Sequence, residues 1–470
     1  MDLQYWAGTD VGRKRSDNED NFLIDKDLRL FVVADGMGGH ASGEVASAMA
    51  VHRVREVVAA ERDILEAYND DDPRCHVEVC TLLEYAVHEA CQAIFDKAKV
   101  EPEKRGMGTT IVVLFIIGNR GFIAYVGDSR IYLLRGGVVY QLTEDHSLRN
   151  ELIRMGKISE DEFESSPYAK LKNAMTRAVG VYESVEVDTL DFDIIAGDSF
   201  LMCSDGLYEY LHENDIANAI GLPEIQEIPG QLIEIANTRG GKDNITAIVV
   251  QSVGDDAAHE RAAEVNFTLD TLKQVPLFSE LSYQQLVRMM NLSSLRPISA
   301  AEMIYERGDV GRDMFVVLKG AVKLVSGDVT VAELGPGDHF GELGLLEDAP
   351  RSTGARVTQT GKALRISRRE FRQILRKEPP LAVKLMWSFV QALGTRLRVT
   401  TDELRDARSA LLAAVPPDAV AAPEGIPPDL SGETQIADLG SGEPKPDAAV
   451  AQVVDQVVDM TGEIELSSSD

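Results

Sequence analysis

Acidic residues recur at the ends of apolar, strand-like runs in the first half of this 470-residue sequence. In FVVADGMGGH, a run typical of a buried strand meets Asp35, and three glycines follow within four residues. One such turn is explained equally well by a solvated Asp. The arrangement is repeated at four further places: Glu19 and Asp20 in KRSDNEDNF, Asp128 in YVGDSR, Asp205 in MCSDGL and Asp243 in GGKDNIT.

Carboxylates gathered by a fold repel each other, and burial raises the pKa of each one. Divalent cations relieve this repulsion, and hard oxygen ligands suit Mg²⁺ or Mn²⁺. At Gly36 the absence of a side chain lets the backbone approach a ligand, so its carbonyl offers another oxygen. Because two metals that share a carboxylate activate water near neutral pH, the pattern predicts metal-assisted hydrolysis without a Ser or Cys nucleophile.

The length of the chain predicts two or three domains, and its 44% hydrophobic content is typical of globular proteins. A formal net charge of −30 argues against binding to nucleic acid or to an anionic membrane surface. No apolar run reaches the ~18–20 residues of a transmembrane helix, and the N-terminus lacks a basic, apolar signal segment. Four cysteines without metal or redox spacing favour a cytoplasmic protein with reduced thiols.

Four zones along the chain differ in composition and in hydrophobic pattern. Residues 1–254 alternate β-branched strands with amphipathic helices, which predicts a mixed α and β domain with antiparallel hairpins. A polar, alanine-rich linker is predicted at 255–267, and a domain of helix, short strands and further helices at 268–410. Residues 411–470 contain no aromatic residue and one Lys, so we expect a disordered acidic tail that serves as solvated linker, autoinhibitor or partner-binding segment.

Residues 1–252 resemble the metal-dependent (type 2C) serine/threonine protein phosphatases, because eight motifs occur in the order of that family. The motifs are RSDNEDN, VVADGMGGH, GMGTT, VGDSR, LTEDHS, TRAVG, LMCSDGL and KDNIT. The bacterial branch of the family is the most similar. The resemblance implies an α+β fold, an α-β-β-α sandwich of two antiparallel sheets, with two or three Mn²⁺ or Mg²⁺ ions in the cleft between the sheets.

The resemblance also implies a role for each acidic position. Asp35 is similar to the bridging metal ligand, and Gly36 supplies its carbonyl. Asp205 and Asp243 correspond to ligands of one metal, and Glu19 to a ligand of the other. The family's reaction is attack of metal-activated water on phosphoserine or phosphothreonine, so phosphorylated proteins, or the kinases themselves, are the implied partners.

Further residues complete the implied site. Asp20 corresponds to the residue that orients the attacking water, and Arg15 to the arginine whose planar fork binds the phosphate. Asp128 corresponds to a ligand of a third, weaker metal. Thr109 and Thr110 are predicted to pack and hydrogen-bond behind the site.

One position departs from the pattern of many eukaryotic members, because Met37 stands where they carry a His that acts as a general acid. Bacterial relatives commonly share that change. His40 and His146 are alternative proton donors, although a structural role is also consistent with each. Residues 147–175 occupy the place of the family's mobile flap beside the cleft.

In the later part of the chain, FGELGLLEDAPRSTGARV combines features that suit a phosphorylated sugar. The turn into a short helix offers unpaired N–H groups to an anion, and Arg351 can return to the same place as a counter-charge. A carboxylate such as that of Glu342 is unfavourable beside a phosphate unless it accepts a hydrogen bond from a hydroxyl group. A ribose provides such a hydroxyl. A capped helix with a Glu–Arg ion pair worth ~0–1 kcal/mol is the alternative.

The surrounding glycine-punctuated strands resemble the cyclic nucleotide-binding domain over about residues 275–400. By this resemblance Arg351 binds the phosphate oxygens and Ser352 supports it. Thr353 replaces the more frequent Ala and is compatible with cGMP as well as with the commoner ligand cAMP. The implied ribose and phosphate contacts are Gly341, Glu342, Leu343 and Gly344.

These resemblances predict a bacterial phosphoserine/phosphothreonine protein phosphatase in the cytoplasm, regulated by cAMP or cGMP and without a nucleic acid or membrane partner. Two alternatives stay open. In one alternative, the first domain is a catalytically inactive scaffold that binds phosphoproteins. In the other, the second domain is a structural dimerisation module. Loss of Asp35, Asp205 or Asp243 would mark the scaffold, and all three are present.

Overall fold

The computed structural model describes residues 2–38, 42–172, 174–254 and 256–414. The prediction of a disordered tail therefore falls outside the described residues from 415 onward, and His40 lies outside them as well. Within the described ranges no helix is both long enough and apolar enough to span a bilayer.

The first part of the chain supplies eleven strands and eight helices to the described structure. In chain order they are β1 (Asp2–Asp10), β2 (Asp20–Asp25), β3 (Leu30–Met37), α1 (Ser42–Ala60), α2 (Arg62–Glu66), α3 (Pro73–Val100), β4 (Gly108–Thr109), β5 (Ile111–Ile117), β6 (Arg120–Val126), β7 (Arg130–Arg135), β8 (Val138–Gln141), α4 (Leu148–Arg154), α5 (Glu160–Phe163), β9 (Asp188–Asp193), β10 (Ser199–Cys203), α6 (Asp205–Tyr208), α7 (Glu213–Ile220), α8 (Ile228–Arg239) and β11 (Ile245–Val253).

These strands form two antiparallel sheets, one in the order β1-β11-β10-β7-β8 and one in the order β2-β3-β5-β6-β9, with β4 paired to β3. Side chains alternate across each strand, so Phe31 and Val33 of β3 face the other sheet while Leu30, Val32 and Ala34 face α1 and α3. On the opposite side α7 and α8 cover β10 and β11. The predicted α-β-β-α sandwich is confirmed.

The second part of the chain begins with two helices and continues as a β-roll closed by two more. Its elements are α9 (Asp256–Gln274), α10 (Tyr283–Asn291), β12 (Ser294–Ile298), β13 (Met303–Tyr305), β14 (Asp313–Ser326), β15 (Val329–Leu334), β16 (His339–Phe340), α11 (Leu343–Leu346), β17 (Gly354–Ser367), α12 (Arg368–Lys377) and α13 (Pro379–Ala414). The strands pair in the order β12-β17-β14-β15, with β13 on β17 and β16 on β14.

The segment predicted as a linker, 255–267, is instead the first half of a helix from Asp256 onward. Alanine, glutamate and arginine favour helix, so a polar, alanine-rich composition does not by itself indicate an irregular connection. Ala262, Leu269 and Leu272 are buried, which gives α9 an apolar face against the rest of the molecule.

Helix α10 joins the two parts by packing against β8 and β9, the last strands of the two sheets. Tyr283 and Val287 enter the core between the sheets. Tyr283 stacks on Tyr140 with ring centroids 4.4 Å apart, and its hydroxyl accepts a hydrogen bond of 2.8 Å from Arg135 Nη1. The second part is thus anchored where the sandwich would otherwise be open.

Candidate metal centre and nucleotide pocket

Neighbouring strands bring the predicted acidic residues of the first part to one region. In the ladder between β2 and β3, Asp20 lies directly opposite Asp35. Asp205 begins α6 at the end of β10, and Asp243 precedes β11, which is paired with β10. Asp128 lies in the link from β6 to β7, where the chain crosses from one sheet to the other.

The acidic residues are close enough to alter each other's ionisation. Burial, and then the negative charges of Asp20 and Asp205, raise the pKa of Asp35 well above its usual range. Burial followed by Asp128 and Asp243 does the same to the pKa of Asp205. Burial also raises the pKa of Asp20 to about 6 and that of Asp128 to about 7. These carboxylates therefore lie close enough to repel one another, and their role as metal ligands stays a prediction.

The donor atoms suit a divalent cation. Asp20 Oδ1 and Asp205 Oδ1 are buried and have no hydrogen-bond partner among the described residues. A Cβ at Gly36 would lie 2.2 Å from the carbonyl oxygen of Gly43 and 2.6 Å from that of Glu19, so this position requires glycine. In the part of the chain that the structure describes, no three His, Cys, Asp or Glu side chains are already grouped as a metal site. The oxygens therefore fit a hard cation in kind and charge, with side-chain adjustment needed to enclose it.

Arg15 lies at the rim of this acidic region and is about half exposed. Its Nη2 donates to Asp243 Oδ2 at 2.7 Å, and its Nη1 is 3.9 Å from Glu19 Oε2. These two carboxylates, both predicted metal ligands, hold the guanidinium beside the site. A phosphate bound by Arg15 would therefore lie next to the predicted metal positions.

Hydrogen bonds behind the acidic residues fix their backbone and side chains. Ser204 Oγ donates to Asp20 Oδ2 at 2.7 Å, and Asn244 Oδ1 accepts from the backbone N–H of Glu19 at 2.8 Å. Thr110 Oγ1 accepts from the N–H of Asp35 at 3.0 Å, as the sequence predicted. Ser204 and Asn244 were missed by the sequence reasoning, although each adjoins a predicted ligand.

His146 does not point its ring into the acidic region. The ring stacks on Tyr125 with centroids 5.3 Å apart, and its Nδ1 accepts from the N–H of Gly127 at 3.0 Å. Its Nε2 lies 3.3 Å from Asp188 Oδ2. Both ring nitrogens are therefore engaged, and His146 braces the turn that carries Asp128, which agrees with the structural role left open for it.

The predicted flap forms a small compact unit. It contains α4, α5 and a 3₁₀ turn, and Leu148, Leu152 and Phe163 make its own buried cluster. The unit is tied back by a hydrogen bond from Leu148 N to Ala174 O at 2.8 Å.

A cavity of about 530 Å³ lies between the β-roll and α13 in the second part. Leu324, Leu334 and His339 line it on the roll, and Thr395 lines it on the helix. This volume is in the range of pockets that hold small ligands. Glu342, which is 5% exposed, also lines the cavity, and its Oε1 accepts a hydrogen bond of 2.6 Å from Arg396 Nη1.

Arg351 lies beside the same turn and faces a neighbouring cavity. Its Nη1 donates to Gly341 O at 2.8 Å and its Nη2 to Asp313 O at 2.6 Å. The guanidinium lies over the ring of Tyr305 at 4.2 Å, while its Nε is buried without a partner in the described chain. The structure therefore brings Arg351 to Gly341 as predicted, but the arginine does not share the cavity that Glu342 lines.

The other predicted nucleotide contacts differ in exposure. Gly344 is buried, whereas Leu343 is exposed. Within the described ranges no side-chain hydrogen bond involves Ser352 or Thr353, so their predicted roles stay predictions. The sequence did not indicate Arg396 as a site residue, because its contact with Glu342 depends on how the long helix α13 packs against the β-roll.

Comparison with known families matches the two parts of the chain separately. Residues 7–245 match the family model of protein phosphatase 2C, and residues 295–378 match that of the cyclic nucleotide-binding domain.

Named relatives match the first part. Serine/threonine protein phosphatase PstP of Mycobacterium tuberculosis is 38% identical over 254 residues, which are 54% of this chain and 46% of PstP. Serine/threonine phosphatase stp of Listeria monocytogenes is 39% identical over 247 residues, which are 52% of this chain and 93% of that protein. The match thus spans about half the length of PstP. The crystal structure of M. tuberculosis PstP/Ppp is similar to 54% of this chain and 99% of its own, with 35% identity and a TM-score of 0.46.

Proposed function

The chain belongs to the protein phosphatase 2C family, and we propose that residues 1–254 hydrolyse phosphoserine and phosphothreonine esters of proteins with Mn²⁺ or Mg²⁺. The observation that carries the proposal is the gathering of Asp20, Asp35 and Asp205 from both sheets with two buried carboxylate oxygens left unpartnered. The relatives described above are themselves named serine/threonine phosphatases.

The metal ligands that we propose are those implied by the family resemblance. Asp35, with the carbonyl of Gly36, would be shared between two cations. Glu19 would complete one site, and Asp205 with Asp243 the other. When bound, the cations supply an activated water and neutralise the charge of the phosphate. Asp128, whose pKa burial raises to about 7, would take part in a third and weaker site.

The remaining side chains position the reactants. Asp20 is held at Oδ2 by Ser204, so its free Oδ1 is available to orient the attacking water. Arg15 would exchange its contact with Asp243 for two oxygens of the phosphate, whose developing charge a planar guanidinium stabilises. Met37 carries no transferable proton, and both ring nitrogens of His146 are engaged, so we assign neither as the donor to the leaving alkoxide.

A catalytically inactive scaffold is the second candidate, but no observation favours it. Every acidic residue that the family resemblance requires is present, and Asp20 Oδ1 and Asp205 Oδ1 have no hydrogen-bond partner among the described residues. A protein that merely held phosphoproteins would not require buried carboxylates that repel each other.

We propose further that a cyclic nucleotide occupies the cavity between the roll and α13. Glu342 would accept the ribose hydroxyl in place of Arg396, so binding would release α13 from its present contact. cAMP is the first ligand to test and cGMP the second, because Thr353 is compatible with either. The ligand can change activity only if it favours one arrangement of the catalytic part over another.

A series of contacts, joined by one charge interaction between Arg288 and Asp188, supports such coupling. Glu378, which separates α12 from α13, forms an ion pair with Arg288 of α10. The Arg288 charge is among those that lower the pKa of Asp188, and Asp188 contacts His146, which braces Gly127. A shift of the α12–α13 corner would therefore reach the turn that carries Asp128.

The decisive experiment measures hydrolysis of a phosphothreonine peptide with Mn²⁺, with and without each nucleotide, beside an Asp205→Asn variant and a matched Asp27→Asn variant at an exposed turn. Metal-dependent turnover that is lost in Asp205→Asn alone supports the enzyme. A change with one nucleotide supports regulation by that ligand. Turnover indifferent to both would contradict the regulation, and no turnover under any condition would favour the scaffold.

A further inference from the structure

A strongly basic cleft lies on the side of the β-roll formed by β17 and α12. Six arginines line it, and among its lining residues the acidic ones are Asp313 and Asp348. The arginines are Arg312, Arg365, Arg368, Arg369, Arg372 and Arg376. The concentration of positive charge contrasts with the formal net charge of −30 of the chain as a whole.

Part of this charge is already used by the fold. Arg368 is 5% exposed and donates to the carbonyls of Gly344 and Glu347 and to Asp348. Arg365 donates to Asp313 Oδ1 at 2.9 Å. These two arginines are therefore neutralised within the β-roll, where Arg368 ties α12 to α11 and Arg365 ties β17 to β14.

Three arginines of α12 remain available. Arg369, Arg372 and Arg376 are exposed, and within the described residues no hydrogen bond or ion pair involves their guanidinium groups. On a helix the spacings 369–372 and 372–376 place neighbouring side chains on one face, where like charges are mutually unfavourable. A bound polyanion would remove that repulsion, and guanidinium groups pair well with carboxylates.

A segment of the same chain has the complementary charge. Residues 415–470 contain twelve Asp and Glu residues and a single basic residue, Lys445. Among them Asp455, Asp459 and Glu463 recur at every fourth position.

The segment is long enough to reach the cleft. Helix α13 starts beside α12 and has 36 residues, so its end at Ala414 lies about 54 Å from its beginning. Asp455 follows Ala414 by 41 residues, and an extended chain of that length spans roughly 130 Å. Because the segment is tethered, its effective concentration at the cleft is far above that of a free partner.

We propose that the acidic C-terminal segment, residues 415–470, docks on Arg369, Arg372 and Arg376 of its own chain. The contact is electrostatic and places the segment at the α12–α13 corner, two residues from Glu378. Added salt weakens it, because exposed charges are screened.

Zero-length carboxyl–amine cross-linking of the full chain, followed by peptide mass spectrometry, tests the proposal. A variant with Arg369→Lys, Arg372→Lys and Arg376→Lys keeps the charge and supplies reactive amines. We expect links from these positions to Asp and Glu residues of 415–470, with a yield reduced severalfold in 0.5 M NaCl and unchanged on tenfold dilution. A second variant, Arg408→Lys, places an amine on exposed α13 nearer to the segment and is expected to give local links alone.

Mixing isotope-labelled and unlabelled chains distinguishes the occupants. Links within one chain support the proposal, whereas links confined to pairs of chains assign the cleft to a second copy and overturn it. Absence of links to 415–470, in a variant whose thermal unfolding matches that of the wild type, also overturns it. If a phosphothreonine peptide then binds and the binding is lost in Arg369→Glu, Arg372→Glu, Arg376→Glu, the surface belongs to a phosphorylated partner instead.

Discussion

Arg396 of α13 donates a hydrogen bond of 2.6 Å to Glu342, the buried carboxylate of the turn beside the nucleotide cavity. A side chain of the C-terminal helix thus occupies the acceptor that a ribose hydroxyl would use. The arginine is largely exposed and the glutamate is buried, so the pair can open toward solvent on the arginine side. Binding of the proposed nucleotide would therefore be linked to the position of α13 through this contact.

Replacing Arg396 with Ala should tighten nucleotide binding. The nucleotide would no longer compete with an ion pair worth up to ~1 kcal/mol, which corresponds to about fivefold in Kd. Titration calorimetry with cAMP and cGMP measures the change, and Arg398→Ala, an exposed neighbour on the same helix, is the control. Weaker binding in Arg396→Ala would mean that the arginine contacts the ligand directly.

Replacing Asp205 with Asn should stabilise the metal-free protein and abolish its stabilisation by Mn²⁺. Burial, and then the negative charges of Asp128 and Asp243, raise the pKa of this carboxyl, so a neutral amide is less unfavourable there when no cation is present. Each ~1 kcal/mol relieved would raise Tm by roughly 2–4 °C. Thermal unfolding in EDTA and in Mn²⁺ checks this, with Asp27→Asn as control. A variant less stable than the wild type in EDTA would contradict the account of buried repulsion.

Removing the guanidinium of Arg15 should lower kcat/KM on a phosphothreonine peptide by roughly 10²–10³. The loss follows from the charge that Arg15 brings beside Asp243 at the rim of the site. Arg15→Lys should recover little, because an ammonium cannot hold two phosphate oxygens in one plane. Lys14→Ala, at the adjacent exposed position, is expected to keep wild-type kinetics. Equal losses in the Arg15 and Lys14 variants would point to a general effect of surface charge.

Neutralising Glu378 should uncouple the two parts without impairing either. In Glu378→Gln the ion pair to Arg288 is lost, while the catalytic residues and the nucleotide cavity are untouched. We expect unchanged basal turnover and nucleotide affinity but a nucleotide effect reduced by at least half. Glu403→Gln on exposed α13 is the matched control. A nucleotide effect of full size in Glu378→Gln would exclude this route.

The stability of the second part should fall below about pH 6.5 because of His339. Burial lowers the pKa of this imidazole, and the nearby Glu342 opposes the shift only in part. His339 therefore takes up its proton at a higher pH in the unfolded chain than in the folded one. As the pH falls from about 6.5 towards the lower pKa of the folded state, the free energy of unfolding decreases. Denaturant unfolding of a Trp6→Phe variant, followed through Trp387, measures the slope. His339→Gln should flatten it, and an unaltered slope would assign the titration to another group.

The fold class and the main site were accessible from the sequence because they depend on local signals. Asp35, Asp128 and Asp205 each follow an apolar run, and a strand that ends on a carboxylate delivers it to a sheet edge. The structure places them near one another, as the repeated pattern indicated.

What the sequence could not supply depends on long-range packing. The stretch after 254 has a composition that favours helix, but composition does not specify the apolar surface in which Leu269 and Leu272 of this helix are buried. Arg396 meets Glu342 across 54 residues of chain. Likewise, the stack of His146 on Tyr125 decides that this histidine is structural, and no spacing rule indicates such a contact.

The insertion of Tyr283 and Val287 of α10 between β8 and β9 has a consequence for where the protein can be divided. A fragment ending at residue 254 would keep every predicted metal ligand yet lose the helix that covers the ends of both sheets. Tyr140 and the strands around it would then face water with unpaired edges, which favours edge-to-edge association. We therefore expect a cut at residue 254 to expose an apolar surface that α10 covers in the full chain.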